Sequence, residues 1–257
     1  DQVVTFANVT QAIAEFQRSA TFTDSPFARY AQGDNAALTE TAKQGALLFF
    51  RTVAQGGAQC IQCHRGEILS GETHHAIGFP QVGPGLGDGT DGSDDFGRGR
   101  ETKGAVERYQ FRAPSLLNVE MTGPWGHAGA YATLNEAVLH YQNPQGDVDN
   151  FLANRTWCSL PPFAQIGDCN VTAVTANTRA ALAKALGDRT TNAGAALPTL
   201  PPNTISPANL AAIVEFLRSL TDPCLKDRAC YGKWIPAAGE APDGNQLNAV
   251  NAAGQPL

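Results

Sequence analysis

The stretch "AQCIQCHRGE", residues 58–67, sets two cysteines two residues apart and places a histidine directly after the second. Cys-x-x-Cys-His is the signature of covalent haem attachment. The thiols of Cys60 and Cys63 add across the two vinyl groups of the haem, and the adjacent His64 is held under the iron as an axial ligand. The rival chemistries of such a pair fail on context. Zinc needs a second ligand pair, and the later cysteines form no further Cys-x-x-Cys; a thioredoxin-like redox pair needs a preceding strand and a βαβ setting. The sequence therefore predicts one covalent haem c.

The ligand on the opposite face is less constrained. The candidates are Met121, which is the single methionine, then His127, His140 and Tyr141, or no residue at all, leaving an open iron for peroxide or another small molecule. A thioether raises the reduction potential and suits an electron carrier, whereas a phenolate favours oxidised iron. Read from the residues alone, Met121 is the default, because a lone Met downstream of the haem motif serves a small electron-transfer cytochrome.

Positioning these groups falls to helices joined by long loops. Helical patterns occur near residues 3–16, 39–52, 133–142, 174–187 and 207–220. Val3, Phe6, Val9, Ile13 and Phe16 make one apolar stripe. Thr39 is the expected N-cap of the helix that delivers the chain to the haem cysteines, and Gly45 inside it implies close approach of another helix or of the haem. "TLNEAVLHY" opens with a capping box, Thr133 with Glu136, and "SPANLAAIVEFLRSL" has Ser206 as N-cap with Pro207 at the first helical position. Residues 78–104 are too rich in Gly and Asp for regular structure. Asp88, Asp91, Asp94 and Asp95 do not fit the twelve-residue calcium loop, since Phe96 stands where the turn glycine belongs, so a solvated acidic loop is expected. The fold class is mainly α, divided as an N-terminal helix and connecting loop (1–35), a haem domain (36–225) and an irregular C-terminal tail (226–257).

The remaining four cysteines, Cys158, Cys169, Cys224 and Cys230, can pair in three ways. The sequence-local pairing, 158 with 169 and 224 with 230, closes two short loops flanked by Pro or Gly and is preferred. Disulfides and covalent haem both point to an oxidising compartment, so a periplasmic or otherwise exported protein is expected. The chain starts at Asp1 without a charged-then-apolar leader, as a processed form would. No stretch approaches eighteen continuous apolar residues, which argues against a membrane span. A net charge of −6 with scattered basic residues argues against nucleic acid as a partner.

Several motifs in order resemble one family. "SPFARYAQGDNAALTETAKQGALLFF", the Cys-x-x-Cys-His, "IGFPQVGPG", "DFGRGRET", "YQFRAPSLLNVEMTGPWGHAGAYATLNEAVLHY" and "LTDPC" together resemble the C-terminal haem domain of the bacterial di-haem cytochrome c peroxidases, which include the MauG-like proteins. The resemblance spans about residues 3–235 and implies a class I cytochrome c-like haem domain with long irregular loops and an extended C-terminal tail. In that family the residue nineteen positions after the threonine of "TxP" is the second axial ligand. Counting from Thr122 reaches Tyr141, which demotes Met121 and implies the MauG type, where that ligand is Tyr. The resemblance also implies that the backbone carbonyls of Thr122 and Pro124 help bind a structural calcium between two haem domains.

His127 stands where the family usually has the His of "HDG", which makes it a candidate neighbour of the haem. Ala128 replaces the Asp of that segment, and Leu117 replaces the common Arg of "LRN". His74, His75 and His140 read as surface or ordinary packed residues, and Trp125 as a residue that packs on the haem edge. In the family, peroxide is reduced at a haem in the N-terminal domain, while the C-terminal haem relays or stores oxidising equivalents. This chain matches only the latter. The resemblance thus implies an electron-transfer domain of a peroxidase-like oxidoreductase, served by a second haem-bearing domain or subunit, a small redox protein as donor, and hydrogen peroxide at the partner haem. The alternatives are a stand-alone mono-haem electron carrier, or a peroxidase with an open iron in this chain.

Overall fold

Side-chain caps set where the helices begin. In the computed structural model, which describes residues 4–160, 169–191, 200–236 and 239–240, Thr5 caps α1 (Phe6–Ser19), Ser25 caps α2 (Pro26–Ala31) and Thr39 caps α3 (Glu40–Phe50). Each hydroxyl accepts from a first-turn N–H that has no partner inside its helix. A single turn, α4 (Arg98–Thr102), interrupts the long middle segment. The predicted capping box of Thr133 and Glu136 starts α5 (Leu134–His140). Asn143 starts α6 (Pro144–Asn154), α7 spans Val171–Thr191, Ser206 starts α8 (Pro207–Arg218), and α9 covers Arg228–Tyr231. The five predicted helices are all present, with ends shifted by a few residues. Outside that set lie α2 and α6, although Ser25-Pro26 and Asn143-Pro144 carry the same cap-then-proline start as Ser206-Pro207.

Strand is confined to β1 (His74–Ala76) and β2 (Gln110–Arg112), antiparallel with His75 opposite Phe111. The chain is mainly α.

The first apolar cluster is built where α3 crosses α8. Phe49 and Phe216 are essentially inaccessible, and Phe27 and Phe50 pack on them at ring-centroid distances of 5.1–5.8 Å. Burying side chains of this size contributes roughly 1.5–3 kcal/mol each. Gly45 makes the crossing possible: a Cβ there would lie 1.9 Å from the Ala212 carbonyl oxygen. Of the two partners expected for Gly45, it is the helix that comes close.

A second cluster gathers Phe79, Tyr131, Phe151, Trp157 and Val174. Trp125 and Tyr141 touch both clusters. The disulfides Cys158–Cys169 and Cys224–Cys230 are those of the sequence-local pairing.

Three regions differ from expectation. The stripe of α1 forms but faces outward, with Phe6 85% and Ile13 53% exposed; Val3 lies outside the described residues. At the end of this arm Trp234 Nε1 donates to Ser19 Oγ at 3.0 Å and its ring meets Phe22 edge-on. The acidic loop is not wholly solvated. Asp94 is buried because its carboxylate accepts from the Tyr109 hydroxyl at 2.6 Å, while Asp88 accepts from the Phe96 N–H at 2.8 Å. The tail after Cys224 is not irregular at its start: short turns at Pro223–Lys226 and Gly232–Trp234 flank α9, and residues 237–238 and 241–257 lie outside the described residues.

Candidate functional site

The haem-attachment motif sits in a single 3₁₀ turn, Cys60–Gln62, entered through Gln59 in the left-handed region at φ 46°. α3 ends at Phe50, and the Ala58 N–H donating to the Leu48 carbonyl at 2.7 Å folds the chain back beside the helix. Cys60 and Ile61 thereby pack against the first apolar cluster.

Both thiols of the motif are free, whereas the other four cysteines are paired. Burial pushes Cys60 up to about 12 and also raises Cys63, against the pull of Arg65. Neutral thiols of this kind resist spontaneous oxidation. His64 lies 3.3 Å through Nδ1 from the Leu69 carbonyl, and the Pro114 carbonyl lies within its reach; burial favours its neutral form. An imidazole donating from Nδ1 to a backbone carbonyl presents Nε2 as the metal-binding lone pair.

Tyr141 ends α5 as its C-cap. Its side chain is half-buried where the two apolar clusters meet, and burial together with the nearby Cys63 and Cys60 thiols raises its pKa far above the ordinary value. Such a phenol keeps its proton unless a cation faces the oxygen. Met121, by contrast, is 44% exposed at the end of the short turn Val119–Met121. Thr122 and Pro124 are exposed beside it, and the Gly123–Pro124 peptide is cis. Trp125 is half-buried, donating from Nε1 to the Val119 carbonyl at 2.9 Å.

His127 stacks on Phe111, with ring centroids 3.6 Å apart and planes 16° from parallel, and both its ring nitrogens are buried without a hydrogen-bond partner. An unpartnered buried imidazole is unusual and marks a place where a further polar group belongs. Free, half-buried thiols, an oriented imidazole, a half-buried phenol near the thiols and an orphaned imidazole together fit a covalently attached haem. Among the described residues, no group of three or more His, Cys, Asp or Glu side chains converges as a separate metal site.

Burial pushes His127 from 6.5 down to about 4. The unfolded chain therefore takes up this proton at a higher pH than the folded one, so the stability linked to it is present above about pH 6.5 and lost as pH falls toward 4. The full effect is roughly 3 kcal/mol. For the haem-free polypeptide, the urea midpoint should fall across this window more steeply in the wild type than in His127→Phe. Parallel curves would show that His127 is not the group responsible.

His140 turns out to be completely buried and hydrogen-bonded through both ring nitrogens, to Asp147 at 2.9 Å and to the Ile77 carbonyl at 2.7 Å. Sequence reading missed Tyr131 and Asp147 as its partners, because no local pattern joins them. His74 and His75 lie on β1, His74 3.3 Å from Arg98 and His75 2.6 Å from the Thr73 hydroxyl.

No family model matches the chain. Cytochrome c peroxidase Ccp of Escherichia coli is 36% identical over 153 residues, covering 57% of this chain and 31% of that protein. The methylamine utilization protein MauG of Methylophilus methylotrophus is 31% identical over 145 residues, 56% of this chain and 39% of MauG. The cytochrome c551 peroxidase of Pseudomonas aeruginosa is 32% identical over 162 residues, 58% of this chain and 43% of the peroxidase. The matched region thus spans well under half the length of these relatives. The fold is similar to that of a MauG-like protein associated with microbial copper homeostasis, at a TM-score of 0.53 and 24% identity over 89% of this chain and 61% of that one. Over about half of its length, this chain is a homologue of the cytochrome c peroxidases and MauG proteins, the family that its motifs resemble.

Proposed function

We propose that this chain is the electron-transfer unit of a MauG-like, peroxidase-like oxidoreductase, a class I cytochrome c-like domain carrying one covalent haem c. Cys60 and Cys63 would hold the haem by thioethers, and His64 and Tyr141 would hold its iron. The packing of Tyr141 and Cys60 against the same apolar cluster carries this reading. When bound, the haem would supply a one-electron redox centre able to relay or hold oxidising equivalents for peroxide-dependent chemistry at a partner haem.

The chain's own residues do the positioning. The carbonyl held by His64 Nδ1 fixes the ring plane, and the two apolar clusters meeting at Trp125 and Tyr141 give the site an apolar wall. Thr122 and Pro124 offer carbonyl oxygens at the surface, suited to a calcium completed by a second haem-bearing domain or subunit. A small redox protein would be the donor and an exported, oxidising compartment the setting, consistent with two disulfides. Among the described residues, no helix is long and apolar enough to cross a membrane.

The ferric absorption and EPR spectra test the assignment. Tyr141→Phe should lose the phenolate-to-iron charge-transfer signature, and Met121→Leu should retain it. An unchanged spectrum in Tyr141→Phe would sink the proposed ligand pair.

A further inference from the structure

We propose that Tyr131, His140 and Asp147 form a buried clamp that positions Tyr141 toward the haem site. This deepens the preceding assignment and rests on Tyr141 being a ligand. α5 has only seven residues, too short to be stable by its own hydrogen bonds, so tertiary contacts decide where its C-terminal end points. His140 is the last residue of that helix and Tyr141 its cap. Anchoring the first fixes the backbone from which the second projects.

The anchor joins the end of α5 to the segment before it, to the start of α6, and to Ile77, which is 63 residues away in sequence. His140 Nε2 meets the Ile77 carbonyl at 2.7 Å, just past β1, so that nitrogen donates. Its Nδ1 meets Asp147 Oδ2 at 2.9 Å, on the first turn of α6. The Tyr131 hydroxyl, which precedes α5, donates to the same carboxylate oxygen and lies 3.0 Å from His140 Nδ1. Phe79 closes the cluster, with its ring edge-on to His140 at 4.5 Å, to Tyr131 at 5.3 Å and to Tyr141 at 5.8 Å. His140 is 0% exposed, so solvent does not reach its ring, while the Asp147 carboxylate stays 21% exposed. A general packing role would be met by any apolar side chain; a ring bonded at both nitrogens to different segments specifies position and rotation as well.

The test uses the holoprotein and cyanide, a ligand that must displace Tyr141 to bind. Groups that orient a metal ligand typically change metal-site affinity by ~10–100-fold when removed. Asp147→Asn and His140→Gln should therefore tighten cyanide binding by about 10-fold and broaden or split the ferric EPR signal. Tyr131→Phe, which keeps the ring packing and removes only the hydroxyl, should act in the same direction and guards against loss of folding in the other two. Leu160→Ala, in the same apolar cluster, should lower the thermal midpoint and leave cyanide affinity unchanged. The clamp is overturned if Tyr141→Phe tightens cyanide binding while all three clamp variants match the wild type, or if Leu160→Ala shifts affinity as much as they do. If Tyr141→Phe itself alters neither spectrum nor affinity, the ligand assignment falls, and the clamp with it.

Discussion

Gly45→Ala is expected to lower the thermal midpoint by ~4–8 °C, the shift that a loss of about 2 kcal/mol produces in a chain of this size. A Cβ at position 45 would sit 1.9 Å from the Ala212 carbonyl oxygen, 2.5 Å from its carbon and 2.8 Å from Phe216 Cβ. Two of those atoms are backbone, so no rotamer change relieves the overlap, and α3 and α8 must separate. Overpacking costs ~1–3 kcal/mol and occasionally more, and a backbone clash lies at the upper end. Alanine's better helix propensity returns only about 1 kcal/mol, which does not reverse the sign. Because α3 leads into the haem cysteines, separation should also reduce the yield of haem-loaded protein. Differential scanning calorimetry of the holoprotein checks this; an unchanged or raised midpoint would mean that the two helices do not cross at Gly45.

Cys60→Ala/Cys63→Ala should abolish covalent haem attachment altogether. Each thioether forms when an S–H adds across one vinyl group, with no net oxidation or reduction, so both thiols must be reduced and available. Both are free, and the protonated state favoured by burial protects them from oxidation while the other four cysteines pair. A haem stain of the denatured chain should be positive for the wild type and blank for the double variant, with each single variant retaining one bond. Stain retained by the double variant would remove the motif from its assigned role. Loss of the Cys224–Cys230 pair is a useful contrast, since that bridge sits in the tail and should not affect the stain.

Local chemistry was the most legible part of this chain. Thr39, Thr133 with Glu136, and Ser206 with Pro207 each start a helix where their side chains say one should start, because a cap satisfies N–H groups within three residues of itself. The same logic was present at Ser25-Pro26 and Asn143-Pro144, where shorter apolar patterns hid it. Read from the residues alone, Met121 is the leading candidate partner for the haem, and the family resemblance, counted from Thr122, implies Tyr141 instead. The two residues differ most in what cannot be counted: Met121 lies at the surface, and Tyr141 packs against both apolar clusters. Likewise, α1 announces its apolar stripe in its periodicity, but periodicity does not say whether anything covers it.

The sequence by itself determined the helix starts and the short disulfide loops and carries the Cys-x-x-Cys-His motif on which the proposed haem rests, because each depends on residues close together in the chain, within reach of one another in any compact arrangement. Tertiary structure decided the rest. It brought Ala212 against Gly45, Tyr141 beside Cys60 and Cys63, and Ile77, Tyr131 and Asp147 around His140. Those meetings join groups up to about 170 residues apart, and burial, which sets the protonation of the thiols, the phenol and the imidazoles, exists only once the helices have packed.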